Sequence, residues 1–247
     1  MILLYQGQGG INLKKKKSNK KLNKRKFIFF IIILVVIYIQ FFHSNNSLTA
    51  SNVKVNYSGL GQVKVYNKNG YTTTFTTVDE NKKTYIEYKQ NLGTWKDLPY
   101  WDNKMWDEGC GITALSIILS GYGKNVTPDD LRKEYYPVLS SDNMPKVLRD
   151  KYDIACSDFY YNSRYFTKNY IVNWLKSNRP ILICVTNTPE NVFTTASHYM
   201  VLLATDGENM VYVSNPNGED GSNKASGWYN TSQVLPSIAK AIFIEEK

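Results

Sequence analysis

Between Gly109 and Gly123 the chain carries an apolar run that admits one local structure. Ala114, Leu115, Ile118 and Leu119 recur on one broad face at helical period. The spacing predicts a helix over Gly111–Ser120, stopped by Gly121 and Gly123. This helix divides the chain into two kinds of sequence. Ahead of it lie short alternating runs: "VKVNY", "VKVYN", and the pair "YTTTFTTV" and "KTYIEY", which flank the polar Asp79–Lys82 as a hairpin would. Behind it come helices. "NVTPDDLRKEYYP" offers Thr127 as N-cap, Pro128 at the first helical position and two acids in the first turn, and Pro137 ends it. "MPKVLRDKY" and "KNYIVNWLKSN" read as two more helices. The strands "PILICVT", "HYMVLLAT", "MVYVSN" and "KAIFIEE" follow, with "DGEN" as the hairpin turn between the second and third. Helices followed by antiparallel strands predict an α+β class.

The formal net charge is +9, but it is a local property. Nine Lys/Arg lie between Lys14 and Lys26, and no acid precedes Asp79. The remaining 21 basic residues are matched by 21 acids, so the body is neutral and no nucleic-acid partner is expected. The basic cluster adjoins "FIFFIIILVVIYIQFF", 16 residues at 27–42 in which only Tyr38 and Gln40 are polar. As a helix the run spans roughly 24 Å, a little short of a bilayer's hydrocarbon core. Basic residues on its N-terminal side predict a cytoplasmic start and an external body. The segment reads as an uncleaved anchor or as the core of a signal peptide cut near "SLTAS". The long basic region favours the anchor. The expected organisation is a basic cytoplasmic tail (1–26), an anchor or signal segment (27–42), a linker (43–52), a small β extension (53–84) and a main domain (85–247).

Of three cysteines, Cys110 stands apart. Cys184 lies inside the apolar "ILICV", and Cys156 in "DIACSDF" reads as a small core residue or a partner for Cys184. Cys110 sits between two glycines at the start of the predicted helix. Unsatisfied amides and partial positive charge there favour a thiolate, the nucleophilic form. Gly109 and Gly111 would also let a substrate backbone approach. A nucleophilic thiol needs an imidazole. His43 abuts the apolar run, which leaves His198 at the head of "HYMVLLAT". Asn215 and Asn217 in "VYVSNPNG" end the strand that returns along it, and an asparagine there can accept the imidazole Nδ1–H. The same Asn-Pro-Asn-Gly stretch is also a good turn in its own right.

Taken together, "GCGITALSIILSGYG", "SHYMVLLAT" and "VYVSNPNG" resemble the bacteriocin-processing branch of papain-like cysteine peptidases, the double-glycine leader peptidases and their stand-alone relatives, over roughly Tyr85 to Ile244. The resemblance implies a papain-like fold with N-terminal helices packed on an antiparallel sheet, and a catalytic set of Cys110, His198 and Asn215. It also implies an oxyanion-hole glutamine upstream of the cysteine, which in "YIEYKQNLGTWKDLPYW" is Gln90; Asn103 and Lys104 are alternatives nearer in sequence. Two departures stand out. Ile112 occupies a position where relatives commonly carry proline, and Asn215 one where they often carry aspartate.

No metal site or cofactor is expected: the body has one histidine and no close cysteine pair, and no phosphate-binding loop is visible. The expected partners are a peptide or cell-envelope peptide substrate, and a membrane through the N-terminal segment. Three functions compete: a cysteine peptidase outside the cytoplasm, a wall amidase or transpeptidase using the same dyad, and a silent tethered binding module.

Overall fold

The computed structural model describes residues 53–57, 60–67, 70–76, 82–161, 163–186, 188, 193–194, 196–217 and 225–245. The basic tail, the apolar run 27–42 and the linker lie outside the described residues. Among those described, no helix is long and apolar enough to cross a membrane.

Strands β1 (Val53–Tyr57), β2 (Leu60–Asn67), β3 (Gly70–Thr76) and β4 (Lys82–Tyr88) form an antiparallel meander in chain order. The expected hairpin is the β3–β4 pair, and the domain boundary expected at 84/85 falls inside β4. A two-stranded ribbon follows, β5 (Pro99–Tyr100) against β6 (Asn103–Lys104). Then come the helices α1 (Met105–Glu108), α2 (Cys110–Gly121), α3 (Pro128–Glu134), α4 (Met144–Lys146, continued by a π turn over Val147–Lys151) and α5 (Lys168–Lys176). The chain finishes with β7 (Ile181–Val185), β8 (His198–Thr205), β9 (Met210–Ser214), β10 (Gly227–Asn230), the short α6 (Thr231–Val234) and β11 (Ile238–Phe243). These five strands make one antiparallel sheet in the order β10-β9-β8-β7-β11.

Local chemistry accounts for the element ends. Thr127 caps α3 in a full capping box with Asp130, and Pro128 occupies its first turn. Asp206 Oδ1 accepts from the amides of Glu208, Asn209 and Met210, and Gly207 takes φ 87, which shapes the β8–β9 turn. β10 carries no strong sequence signal, and β11 returns to the β7 edge of the sheet.

Side chains of the five-stranded sheet alternate between two cores with period two. Leu182, Val201 and Leu203 join the core built with α2 and α3. Ile181, Ile183, Met200 and Leu202 join a second core with Ile171 and Leu175 of α5. The sequence places the helices on the sheet without saying which face; the structure distributes them over both, because every strand residue from Ile181 to Val185 is buried and each face needs cover.

Helix α2 is buried from Gly111 to Leu119 and packs against β4 on one side and β8 on the other. Its C-terminal end is fixed to β4. Ser120 Oγ accepts from Ile86 N at 2.8 Å and donates to Ile117 O at 2.7 Å. Gly121 lies so close to Tyr85 that a Cβ there would stand 2.1 Å from the ring. Tyr85 is only 1% exposed and cannot swing into solvent. Gly121→Ala therefore sets a helix-propensity gain of at most about 1 kcal/mol against an overpacking cost of about 1–3 kcal/mol. We expect the clash to win, with the urea midpoint falling at unchanged m-value. A midpoint that stays or rises would show that α2 does not depend on this contact.

Candidate active site

Cys110 is the first residue of α2, and Thr113 N closes the first turn on Gly109 O at 3.0 Å. The flanking glycines have a reason different from the one the sequence suggests. A Cβ on Gly109 would lie 2.4 Å from Met105 O, and one on Gly111 would lie 2.5 Å from Met144 Cε and 3.5 Å from the Tyr199 ring. At Gly109 the crowding is by the α1 backbone and leaves no room for a side chain; at Gly111 it is by the movable end of Met144, with the Tyr199 ring behind it.

What faces the sulfur follows from strand pairing. β9 pairs with β8 only as far as Val201–Ser214, so residues 198–200 of β8 keep β7 as their strand neighbour. Beyond that point Tyr199 comes up to the helix start, its ring 3.5 Å from where a Cβ on Gly111 would lie, and the backbone amides of Tyr199 and Gly111 act on the Cys110 sulfur. Cys110 thus lies near the backbone one residue from His198. Cys110 keeps part of its surface in water. Burial of the sulfur nonetheless pushes the thiol up to about 11, with Cys184 and Glu108 adding to the rise and the two amides opposing it. The helix start alone therefore does not yield the anion expected from sequence; desolvation outweighs it.

His198 and Asn215 are both buried, and His198 Nε2 lies 2.7 Å from Asn215 Oδ1. The atoms can be assigned. Asn217 N donates to the same Oδ1 at 3.0 Å, and an amide N–H can meet only an oxygen there. The oxygen faces the ring, so Nε2 carries the hydrogen. The bond is thus made by Nε2 and not by the Nδ1 expected from sequence, and the basic lone pair of this tautomer is on Nδ1. Asn217 serves through its backbone amide, which fixes the Asn215 side chain.

Gln90 is 1% exposed. Its Nε2 donates to Trp106 O at 2.6 Å, with Asp107 O at 3.4 Å, and its own backbone N donates to Pro216 O at 2.9 Å. It bridges the approach to Cys110 and the turn after Asn215. Asn103 and Lys104 are exposed on the β5–β6 ribbon, where Lys104 Nζ lies 3.6 Å from Asp97.

All three cysteines are free thiols. Cys156 Sγ contacts Pro145 O at 3.6 Å and Arg149 at 3.9 Å, and the alternative of a bond to Cys184 is not formed. Cys184 pairs across from Tyr199 in the β7–β8 ladder.

Two residues of this region escape sequence reasoning. Lys89 is buried, and its Nζ donates to Asn215 O at 2.6 Å and to Ser226 Oγ at 2.8 Å. Ser226 Oγ also accepts from Asn215 N at 2.9 Å. The only signal was position: Lys89 immediately precedes Gln90.

Residues 82–235 match the Peptidase_C39 like family. No curated protein matches the chain. Among solved structures, a crystal structure described as a C39-like peptidase from Bacillus anthracis shares 15% identity at a TM-score of 0.43, covering 68% of this chain and 99% of that one. The family match spans more than half of the sequence and contains Gln90, Cys110, His198 and Asn215, so the chain belongs to the Peptidase_C39 like family.

Proposed function

We propose that this protein is a cysteine peptidase working outside the cytoplasm through Cys110, His198 and Asn215. The observation that carries the reading is the 2.7 Å bond between His198 Nε2 and Asn215 Oδ1, made beside a helix whose first residue is Cys110. Within the family, the Gly-Cys-Gly-x-Thr-Ala start of α2 supports a place near the double-glycine leader peptidases. The basic residues ahead of the apolar run 27–42 support a tethered body facing outward.

The chemistry follows from the atoms. Nδ1 of His198 takes the thiol proton as Sγ attacks the scissile carbonyl carbon. The resulting oxyanion is met by the Cys110 backbone amide and by Gln90 Nε2, whose long 3.4 Å contact to Asp107 O is weak enough to be exchanged for a charged acceptor. The C–N bond then breaks, His198 returns the proton to the leaving amine, and the acyl group stays on sulfur as a thioester. Water, deprotonated by His198, releases the carboxylic acid and restores the thiol. Asn215 keeps Nε2 protonated throughout, and so keeps the Nδ1 lone pair in place.

A second reading, wall amidase or transpeptidase, uses the same atoms and differs in substrate. It is favoured by the outward topology of the N-terminal segment. Digestion of purified cell wall and of a peptide library, each scored by new amines, distinguishes the two. The silent-module reading requires that neither substrate yields amines and that Cys110 alkylates no faster than Cys156.

Burial pushes the Cys110 thiol up to about 11, so it needs a proton acceptor to react near neutrality. If His198 is that acceptor, iodoacetamide labelling of Cys110 near neutral pH is expected to be slower in His198→Ala than in the wild type. Equal rates would remove His198 from the mechanism. Cys110→Ser should abolish turnover and labelling at that position.

Gln90→Ala removes one oxyanion donor, for which a fall of about 10²- to 10³-fold in kcat is expected with KM little changed. Steady-state kinetics on one peptide checks this. A loss confined to KM would assign Gln90 to ground-state binding.

A further inference from the structure

A buried ammonium is costly. Removing it from water costs several kcal/mol, which hydrogen bonds recover only in part, so lysines are seldom found fully buried. Lys89 is 1% exposed, yet it lies in none of the roles assigned above. What it holds is specific. Nζ donates to Asn215 O, and both Nζ and Asn215 N donate to one oxygen, Ser226 Oγ. The backbone of Asn215 is therefore fixed at its N–H and at its C=O, while Oδ1 is fixed by His198 and Asn217. The next carbonyl, Pro216 O, accepts from Gln90 N. Lys89 and Gln90, adjacent in sequence, thus hold two successive carbonyls of the turn that carries the histidine's partner. Lys89 is itself anchored, since its own carbonyl accepts from Trp95 Nε1 at 2.9 Å.

We infer that Lys89 is a positioning residue of the peptidase site: its ammonium holds the main chain of Asn215, and through Asn215 the ring of His198. The inference rests on the catalytic reading above. It deepens that reading by making Lys89–Gln90 one unit, in which the oxyanion donor and the support of the histidine's partner are set by the same stretch after β4. The bonds account for the choice of residue. The Asn215 carbonyl and the Ser226 hydroxyl oxygen together need a donor with more than one N–H on a long stem, which lysine supplies and a hydrophobic residue of the same length does not.

The test uses the full-length chain. Lys89→Met keeps the stem and removes the donor; Ser226→Ala leaves the ammonium but removes the oxygen it shares with Asn215. Both are expected to lower kcat by about tenfold or more with KM nearly constant, since a small misplacement of a reacting group costs on that order. In ¹⁵N-imidazole spectra the Nε2–H tautomer of His198 should lose population in both variants. The deciding measurement is a double-mutant cycle. In an Asn215→Ala background, Lys89→Met should cost no further loss of Cys110 alkylation rate, because its route to the sulfur is already cut. Equal losses in both backgrounds, or an unchanged His198 tautomer in Lys89→Met and Ser226→Ala, would overturn the inference. If Lys89→Met fails to fold, Ser226→Ala alone decides by the same two readouts. Alkylation and tautomer need no substrate, so a wild type that turns over no peptide would defeat the peptidase reading while these measurements still judge Lys89.

Discussion

The contact between helix α2 and the strands on either side of it determines where the chemistry can be. α2 is apolar around most of its circumference, and a helix of that kind is stable only when covered on every side. β4 covers one side and β8 the other. Because the far end is fixed by Ser120 on Ile86 and by the absence of a Cβ at Gly121 against Tyr85, the near end has no freedom to slide. Its first residue is held at the level of Tyr199, where β8 has parted from β9. The position of Cys110 is thus a packing consequence, settled by contacts at both ends of a twelve-residue helix.

That seating has an electrostatic cost. The same burial that orders the sulfur raises its pKa, and two amides do not cancel the effect. On the proposed reading, a thiol so placed works only with a proton acceptor at hand, which makes the orientation of His198 the quantity that matters. The control is layered. Oδ1 of Asn215 sets the ring, Asn217 sets Oδ1, and Ser226 with Lys89 sets the main chain of Asn215. A second buried polar side chain lies two residues earlier, within β4: Glu87 accepts from Thr73 and, at 2.9 Å, from Tyr212 OH of β9. Glu87 joins β4 to β9 and Lys89 joins the residue after β4 to the residue after β9, so the two sheets are linked by polar groups along the line that leads to Asn215.

How much of this was legible in the sequence depends on how local each determinant is. α2 was readable because its period and its stop signals lie within one segment, and α3 because its cap, proline and first-turn acids are contiguous. The His198–Asn215 pair was readable because a hairpin brings residues 17 apart together whatever the rest of the fold does. The choice between Nε2 and Nδ1 was not, since it depends on the Asn217 amide and on the approach of the ring. Nor was the reason for Gly109 and Gly111, which lies in Met105, Met144 and Tyr199, or the role of Lys89, whose partners Asn215 and Ser226 are more than a hundred residues away. A lysine after an alternating strand ordinarily reads as a solvated end; only tertiary contact shows it to be inside. β11 at the edge of β7 was equally hidden, because strand order is not written in periodicity.

Lys89 also bears on why position 215 suits an asparagine. An aspartate at 215 would bring a carboxylate close to a buried ammonium that already contacts the same residue's backbone. In a poorly solvated site opposite charges attract strongly, and the ammonium would compete with the imidazole for the carboxylate oxygens. A neutral amide avoids that competition. Its oxygen accepts from Nε2 and from Asn217 N without drawing Nζ away from the backbone carbonyl. What the asparagine gives up is the charge that would stabilise imidazolium. What it retains is geometry: its oxygen holds Nε2 of the ring and is itself held by the Asn217 amide. On this view Asn215 and Lys89 belong together, and exchanging either alone disturbs the other.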